Sequence, residues 1–191
     1  KNMRIIVSTD SDKYAKIAKD FGAEVPFLRP SSISDDNSTD FEFIKHAVDW
    51  LKINENYESD IILHLRPTQP CRKIDDIDKC LNIFINNYNN YDSLRTVIEL
   101  DKSPFKAYEI DKKNNNLKPL FKEINNIKEP YNQCRQILPK TYLHNGYIDI
   151  LKTNIINKGT ISGDNIYPYI MSKEDKIDID DENDWNKAIQ H

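Results

Sequence analysis

Short apolar stretches alternate with amphipathic helical patterns along the first hundred residues of this sequence. The apolar stretches lie at residues 4–8, 23–27, 61–65 and 93–100. Apolar side chains recur at helical spacing between them, as in the series Phe41, Ile44, Ala47, Val48 and Leu51. This alternation predicts an α/β fold, in which helices cover both faces of a mainly parallel sheet.

The chain length suits one domain, and we expect residues 1–191 to form it. Residues 102–145 differ from the rest, because they contain four prolines and a run of asparagines at 114–116. Prolines are poorly accommodated in central strands, so we predict a protruding arm in this stretch rather than another strand–helix repeat. The α/β pattern returns at residues 146–151 and 166–171 and in a final helix near 181–190.

Charge and composition exclude several classes of protein. A formal net charge of -4 leaves no basic stripe for a phosphate backbone, so we expect no nucleic-acid partner. No apolar run is long enough to span a bilayer, and we expect a soluble, cytoplasmic protein. The three cysteines, Cys71, Cys80 and Cys134, fit neither a disulfide framework nor a zinc site, which predicts reduced thiols.

Two aspartates near the C-terminal end form a candidate metal site. Asp178 and Asp180 are two residues apart, so in an extended segment both carboxylates point to the same side. Paired carboxylate oxygens suit Mg²⁺ bound together with a triphosphate. On spacing alone, an acidic run of this kind is more often solvated surface.

Arg29, Arg66 and Arg72 follow the predicted strands or lie in the loops after them, where ligands of open α/β sheets gather. Together with Lys106 and Arg135 they form a group of candidate anion ligands. An arginine fork matches a carboxylate or phosphate, although for any single one a surface role is the more common alternative. Residues 8–11 offer a possible phosphate-binding turn that ordinary helix capping explains equally well.

Six motifs in order make this chain resemble the acylneuraminate cytidylyltransferase family, and the resemblance spans nearly the whole chain. They are IIVSTDS at 5–11, LRP at 28–30 with DNST at 36–39, RPTQPCR at 66–72, SPFK at 103–106, NQCRQILPKTYLHNGYIDI at 132–150 and KIDIDDENDW at 176–185. The resemblance implies a three-layer, mixed and mainly parallel sheet of the nucleotide-diphospho-sugar-transferase type. It further implies that residues 102–145 are a dimerisation arm, so we expect a homodimer.

The resemblance also implies site residues. Those that would bind the nucleotide are Arg29, Ser38 and Thr39. Those that would face the sugar are Arg66, Arg72, Lys106, Arg135, Gln136 and Asn145. Asp178 and Asp180 match the metal-binding aspartates of the family and, with Arg66, would be catalytic, with Mg²⁺ as cofactor.

The implied activity is transfer of CMP from CTP to the anomeric hydroxyl of a nonulosonic (sialic-type) acid, with release of pyrophosphate. Arg66 replaces a glutamine common in N-acetylneuraminate enzymes, which favours a bacterial acid such as legionaminic or pseudaminic acid. The Gly-rich triphosphate loop that opens the family pattern has no counterpart before Lys1, so we expect an N-terminally truncated chain. A catalytically inactive module that binds a CMP-sugar or dimerises is therefore the alternative, and an enzyme for an eight-carbon sugar acid is a third.

Overall fold

The computed structural model describes residues 3–172, 179 and 181–189. The α-helices within these residues are α1 (Asp12–Asp20), α2 (Asp40–Glu55), α3 (Ile74–Asn86) and α4 (Glu182–Ile189). The strands are β1 (Ile61–His64), β2 (Ser93–Glu99), β3 (Tyr108–Asp111), β4 (Asn116–Pro119), β5 (Glu123–Ile124), β6 (Ile127–Lys128), β7 (Tyr142–Lys152) and β8 (Ile166–Met171). The predicted α/β class is confirmed, and no described helix has the length and apolar character that a bilayer crossing needs.

The main sheet contains four of the described strands in the order β1, β7, β2, β8. Strand β7 therefore lies between two strands that precede it in the chain. Two small antiparallel ribbons, β3–β4 and β5–β6, fall within residues 102–145. The prediction that this stretch departs from the strand–helix repeat is correct.

The chain divides into two compact units. One contains Lys1–Leu63, Asn87–Ser93 and Ile150–Ile166, and the other contains His64–Asn86, Leu94–Asp149 and Tyr167–His191. Whether the whole chain behaves as a single domain stays a prediction.

The first two predicted strands are reduced to a single bridge. Ile6 and Glu24 form a parallel β-bridge, flanked by hydrogen bonds from Val7 N to Glu24 O (2.9 Å) and from Glu24 N to Ile5 O (2.8 Å). The strand predictions for residues 4–8 and 23–27 are therefore wrong for the described structure. Local β-propensity favours an extended backbone, but a strand also needs a ladder of partners, which local sequence does not supply.

Helix α2 anchors the core of the first unit. Its start is a capping box, in which Thr39 Oγ1 accepts from Glu42 N while Glu42 Oε2 accepts from Thr39 N. The core consists of Ile44 of α2 together with Leu151, Ile155 and Ile156, all buried. Burial of each such side chain contributes about 1.5–3 kcal/mol.

The second unit buries one face of α3, as its spacing predicted. Cys80 and Phe84 lie four residues apart on this helix and are both fully buried. Tyr147 and Ile148 of β7 and Leu94 of β2 are also buried in this unit. Strand β7 thus brings the sequence HNGYID of the predicted sugar-facing region to the interior of its unit.

Candidate functional site

A buried carboxylate lies at the centre of the polar groups around β7. Asp149 Oδ2 accepts a hydrogen bond from Arg66 Nη1 (2.8 Å), and its Oδ1 lies 2.8 Å from His144 Nε2. Arg95 Nε of β2 lies 3.9 Å from the same Oδ1. Two guanidinium groups and one imidazole therefore surround one carboxylate.

The surroundings of Asp149 keep its carboxyl group ionised. Burial by itself would raise the pKa of Asp149, but the hydrogen bonds and charges of His144 and Arg66 outweigh it. The net effect lowers the pKa of Asp149 below its ordinary value. At neutral pH this residue is an anion that the two neighbouring groups hold in place.

Arg72 joins the turn after β1 to β7. Its Nε donates to Tyr147 O (2.5 Å) and its Nη2 donates to Arg66 O (2.5 Å). Gln69 Nε2 adds a hydrogen bond to Asn145 O (3.0 Å). The predicted motif at residues 66–72 is thus tied to the strand that carries Asp149, and the described contacts of Arg72 serve this connection.

Asn145 lies in the interior, with its side-chain amide bonded to the protein. Its Oδ1 accepts from Thr96 Oγ1 (2.6 Å) and from Tyr147 N (3.2 Å), and its Nδ2 lies 3.5 Å from Met171 Sδ. These bonds hold the start of β7 in register with β2. Contact between Asn145 and a sugar stays a prediction.

Arg135 and Gln136 line a surface cavity of about 390 Å³ in the second unit. Its other lining residues are Glu99, Leu100, Ser103, Leu138, Pro139, Lys140 and Thr141. Lys106 is exposed on the helical turn Pro104–Lys106, which Ser103 caps, and its role stays a prediction too. The cavity combines cationic and polar side chains and the carboxylate of Glu99 with an apolar wall. Contact of Arg135 and Gln136 with a sugar stays a prediction.

Arg29 lies beside unsatisfied polar atoms in the first unit. Its Nη2 donates to Ser8 O (2.8 Å), and its guanidinium carbon is 5.0 Å from the ring centroid of Phe43. Among the described residues, the buried Arg29 Nε and Ser8 Oγ have no hydrogen-bond partner. Buried polar atoms without partners are uncommon. Nucleotide binding at Arg29 stays a prediction.

Ser38 and Thr39 close the loop before α2. Ser38 Oγ accepts from Asp35 N (3.0 Å), and Thr39 is the N-cap described above. Their described hydrogen bonds are therefore structural, and nucleotide binding by these two residues stays a prediction.

The predicted metal ligands Asp178 and Asp180 lie outside the described residues. Ile179, between them, is described, and its backbone N donates to Thr68 O (2.9 Å) in the turn that follows Arg66. No group of three or more His, Cys, Asp or Glu residues arranged to hold a metal occurs in the described part of the chain. The donor chemistry of two carboxylates fits Mg²⁺.

Sequence reasoning missed Asp149, Arg95 and His144. One signal was available for Asp149, which is the lone charged residue in the apolar stretch 147–151. Arg95 carried no comparable local signal, because its relation to Asp149 arises only when β2 and β7 pair. His144 lies on β7, five residues before Asp149, and nothing in the local pattern marked it.

Comparison with known proteins shows a matching family and several similar proteins. A family model described as "Cytidylyltransferase" matches residues 1–145. The chain is 31% identical to N-acylneuraminate cytidylyltransferase of Escherichia coli O18:K1:H7, over 97% of this chain and 41% of that protein. It is 32% identical to CMP-N,N'-diacetyllegionaminic acid synthase of Legionella pneumophila, over 95% of this chain and 74% of that protein.

Two further similarities concern a flagellin-modifying protein and a solved structure. Post-translational flagellin modification protein B of Campylobacter coli is 28% identical, over 95% of this chain and 73% of that protein. The structure of CMP:2-keto-3-deoxy-manno-octonic acid synthetase complexed with CTP superimposes with a TM-score of 0.62 at 12% identity. It covers 97% of this chain and 79% of that chain, which shows a shared fold.

Proposed function

Because the chain belongs to the cytidylyltransferase family, we propose that it transfers CMP from CTP to the anomeric hydroxyl of a nonulosonic acid and releases pyrophosphate. One observation carries this proposal. The family match extends over residues 1–145, and relatives named for acylneuraminate and diacetyllegionaminic acid align with 95–97% of the chain. The chain spans 41% of the length of the first of these relatives, so the activity of the whole protein is part of the proposal.

The proposed reaction is a direct displacement at phosphorus. The anomeric oxygen of the sugar forms a bond to the α-phosphorus of CTP, the bond from that phosphorus to the bridging oxygen of the β-phosphate breaks, and the hydroxyl proton is lost. The protein's task is then to position both substrates and to stabilise negative charge. Asp178 and Asp180 would hold Mg²⁺, which when bound offsets the charge on the phosphates.

Arg29 and Ser8 support the placing of the nucleotide in the first unit. Arg29 Nε and Ser8 Oγ, which have no hydrogen-bond partner within the described part of the chain, offer one donor and one hydroxyl to a nucleotide. The arginines of the second unit are proposed to bind the acidic sugar, with Arg135 and Gln136 in the cavity and Arg66 held against Asp149 of β7. An arginine is suited to this task because its planar fork matches a carboxylate.

We propose that the acid substrate is a bacterial sugar acid of the legionaminic or pseudaminic type. Arg66 supports it, together with the Legionella relative at 32% identity. Pyrophosphate release should be measured with CTP, Mg²⁺ and a panel of N-acetylneuraminic, legionaminic and pseudaminic acids and an eight-carbon sugar acid. Pyrophosphate release with legionaminic or pseudaminic acid is the expected result. If folded protein releases no pyrophosphate with any acid, the alternative of an inactive binding module is favoured.

Replacement of a metal ligand tests the proposed mechanism. Asp178→Ala should lower the turnover number by about a hundredfold or more, because charge stabilisation in the transition state is lost. Asp20→Ala, at the exposed end of α1, is the matched control and should retain the wild-type rate. Unchanged turnover by a folded Asp178→Ala variant would show that the metal assignment is wrong.

A homodimer is proposed to form through the ribbon β3–β4. Ile110 and Leu117 are register partners on this ribbon and are 62% and 65% exposed. Tyr108 and Pro119 share their face, since alternate residues of a strand point to the same side. One apolar and exposed face of the ribbon is therefore available to a second copy of the chain.

A further inference from the structure

Stability alone does not account well for the cluster around Asp149, because burying charged groups costs free energy. A buried ion pair loses hydration, and apolar residues of similar size often stabilise a protein equally well. Asp149 nevertheless lies in the middle of β7 between the fully buried Ile148 and Ile150. A charged group retained at such a position suggests a functional role.

The geometry of Asp149 gives each of its oxygens a different partner. Oδ2 accepts a hydrogen bond from Arg66 and Oδ1 faces His144. A single carboxylate thus orients one side chain from the segment after β1 and one from its own strand. A carboxylate accepts hydrogen bonds, so the proton of a neutral His144 ring lies on Nε2 and its Nδ1 becomes an acceptor. Asp149 therefore determines the tautomer of His144 as well as the direction of Arg66.

The arginines of the cluster suit an acidic ligand. Arg66 and Arg95 both lie beside the carboxylate of Asp149. Arg95 Nε is buried and has no hydrogen-bond partner among the described residues. A guanidinium group with an unsatisfied donor suits the carboxylate of a sugar acid.

Gly146 of β7 lies against the arginine of this cluster. The backbone of Gly146 has a φ of +68°, and a Cβ there would lie in ordinary contact with Arg66 Cδ, at 3.5 Å. The left-handed backbone at Gly146 is the conformation that L side chains adopt at a cost. Glycine therefore suits this position because of its backbone conformation, and the stem of Arg66 lies directly against it.

We propose that Asp149 is a positioning residue of the acid-sugar site, which holds Arg66 and His144 in one arrangement beside Arg95. This inference rests on the proposed function, because it assigns the cluster to the acidic substrate of that reaction. It adds three residues, Asp149, His144 and Arg95, to the sugar side of the site.

A kinetic double-mutant cycle tests the proposal. Asp149→Asn should raise KM for the sugar acid about tenfold to a hundredfold, because Arg66 loses a charge-assisted partner, while KM for CTP changes less than about twofold. In an Arg66→Gln background the same substitution should change KM for the acid less than about threefold. Asp49→Asn is the control, since Asp49 forms an exposed pair with Lys45 on α2.

A merely structural Asp149 would give a different pattern. Asp149→Asn would then raise KM for the sugar acid and KM for CTP together, or would raise KM for the acid by the same factor in the wild-type and Arg66→Gln backgrounds. Either result would overturn the proposal. The double variant leaves no unpaired buried charge of this pair, so it keeps the comparison possible if Asp149→Asn alone folds poorly. Comparing the double variant with Arg66→Gln then isolates the effect of Asp149 without its arginine.

Nuclear magnetic resonance of the histidine ring gives a second readout that needs no turnover. Long-range ¹H–¹⁵N spectra of the wild-type chain, recorded at a pH at which the ring is neutral, should show His144 as the Nε2–H tautomer, and Asp149→Asn should weaken that preference. An Nδ1–H tautomer in the wild type would overturn the positioning role. A wild-type chain that releases no pyrophosphate with any acid would overturn the proposed function and this assignment with it. Turnover without coupling between Asp149 and Arg66 in the double-mutant cycle would overturn the role of Asp149 alone.

Discussion

Cys80 and Cys134 are chemically different because their surroundings differ. Cys80 is fully buried on α3, and burial together with the charge of Asp76 raises its pKa to about 12. Cys134 is exposed. The described structure contains Cys71, Cys80 and Cys134 as free cysteines, as the sequence predicted. Since the thiolate is the reactive form, the two thiols should differ greatly in reactivity.

Alkylation should therefore separate these two cysteines. Iodoacetamide at pH 8 should modify Cys134 in the folded protein and leave Cys80 unmodified until urea is added, as mass spectrometry of peptides would show. Cys134→Ser is the control: in the folded state, this variant should lack the modification that the wild-type protein carries on Cys134. Rapid modification of Cys80 without denaturant would contradict the burial of α3.

At the scale of elements, α2 and the helical turn Thr153–Lys158 form the best-defined core of the first unit. Ile44 contributes from α2, and Ile155 and Ile156 from the turn. The turn ends at Gly159, which has a φ of +80°. The backbone N of Gly159 donates a hydrogen bond to Ile156 O and so closes the turn. The packing of these residues is what makes a short helical turn stable.

Truncation of the core should measure this contribution. Ile155→Ala should lower the free energy of unfolding by about 2–5 kcal/mol, because it removes buried methyl groups and leaves a cavity. Ile53→Ala on α2 is the matched control, since Ile53 is 79% exposed, and should change stability by about 0.5 kcal/mol or less. Urea denaturation measures both, and equal effects would mean that the turn does not pack as described.

At the scale of the whole molecule, the ribbon β3–β4 exposes an apolar face on which the proposed dimer depends. Its opposite face carries the charged cross-strand neighbours Glu109 and Lys118 and an ion pair between Lys118 and Asp111 (2.7 Å). A ribbon with one charged and one apolar face is suited to cover a surface, and two strands alone are marginally stable. This arrangement supports the proposed homodimer.

One substitution on the apolar face should test the dimer. Leu117→Asp should convert a dimer to a monomer at micromolar concentration, because it places a charge in the proposed interface. Asn114→Asp adds the same charge at the end of the ribbon and should leave the dimer intact. Light scattering after size-exclusion chromatography would distinguish them, and a wild-type monomer would contradict the proposal.

Local patterns predicted much of the fold. The apolar stretches at 61–65, 93–100 and 166–171 are β1, β2 and β8, and the helical spacings give α2 and α3 close to their observed bounds. Residues 4–8 and 23–27 show the limit of such patterns, because the same β-branched composition led only to a bridge. Of the candidate site, Arg29 and Arg66 were predicted to be anion ligands, which stays a prediction, while the partners that surround them were not predicted.

The sequence by itself determined which segments are apolar, where helices are capped and where arginines follow strands, because these properties depend on neighbours a few residues apart. Only the tertiary structure decided that β7 lies between β1 and β2, since strand order depends on contacts between distant segments. The same is true of Asp149, whose partners Arg66 and Arg95 are 83 and 54 residues away along the chain. A charge cluster of this kind has no local signature, because its energy comes from burial and distances that exist only after folding.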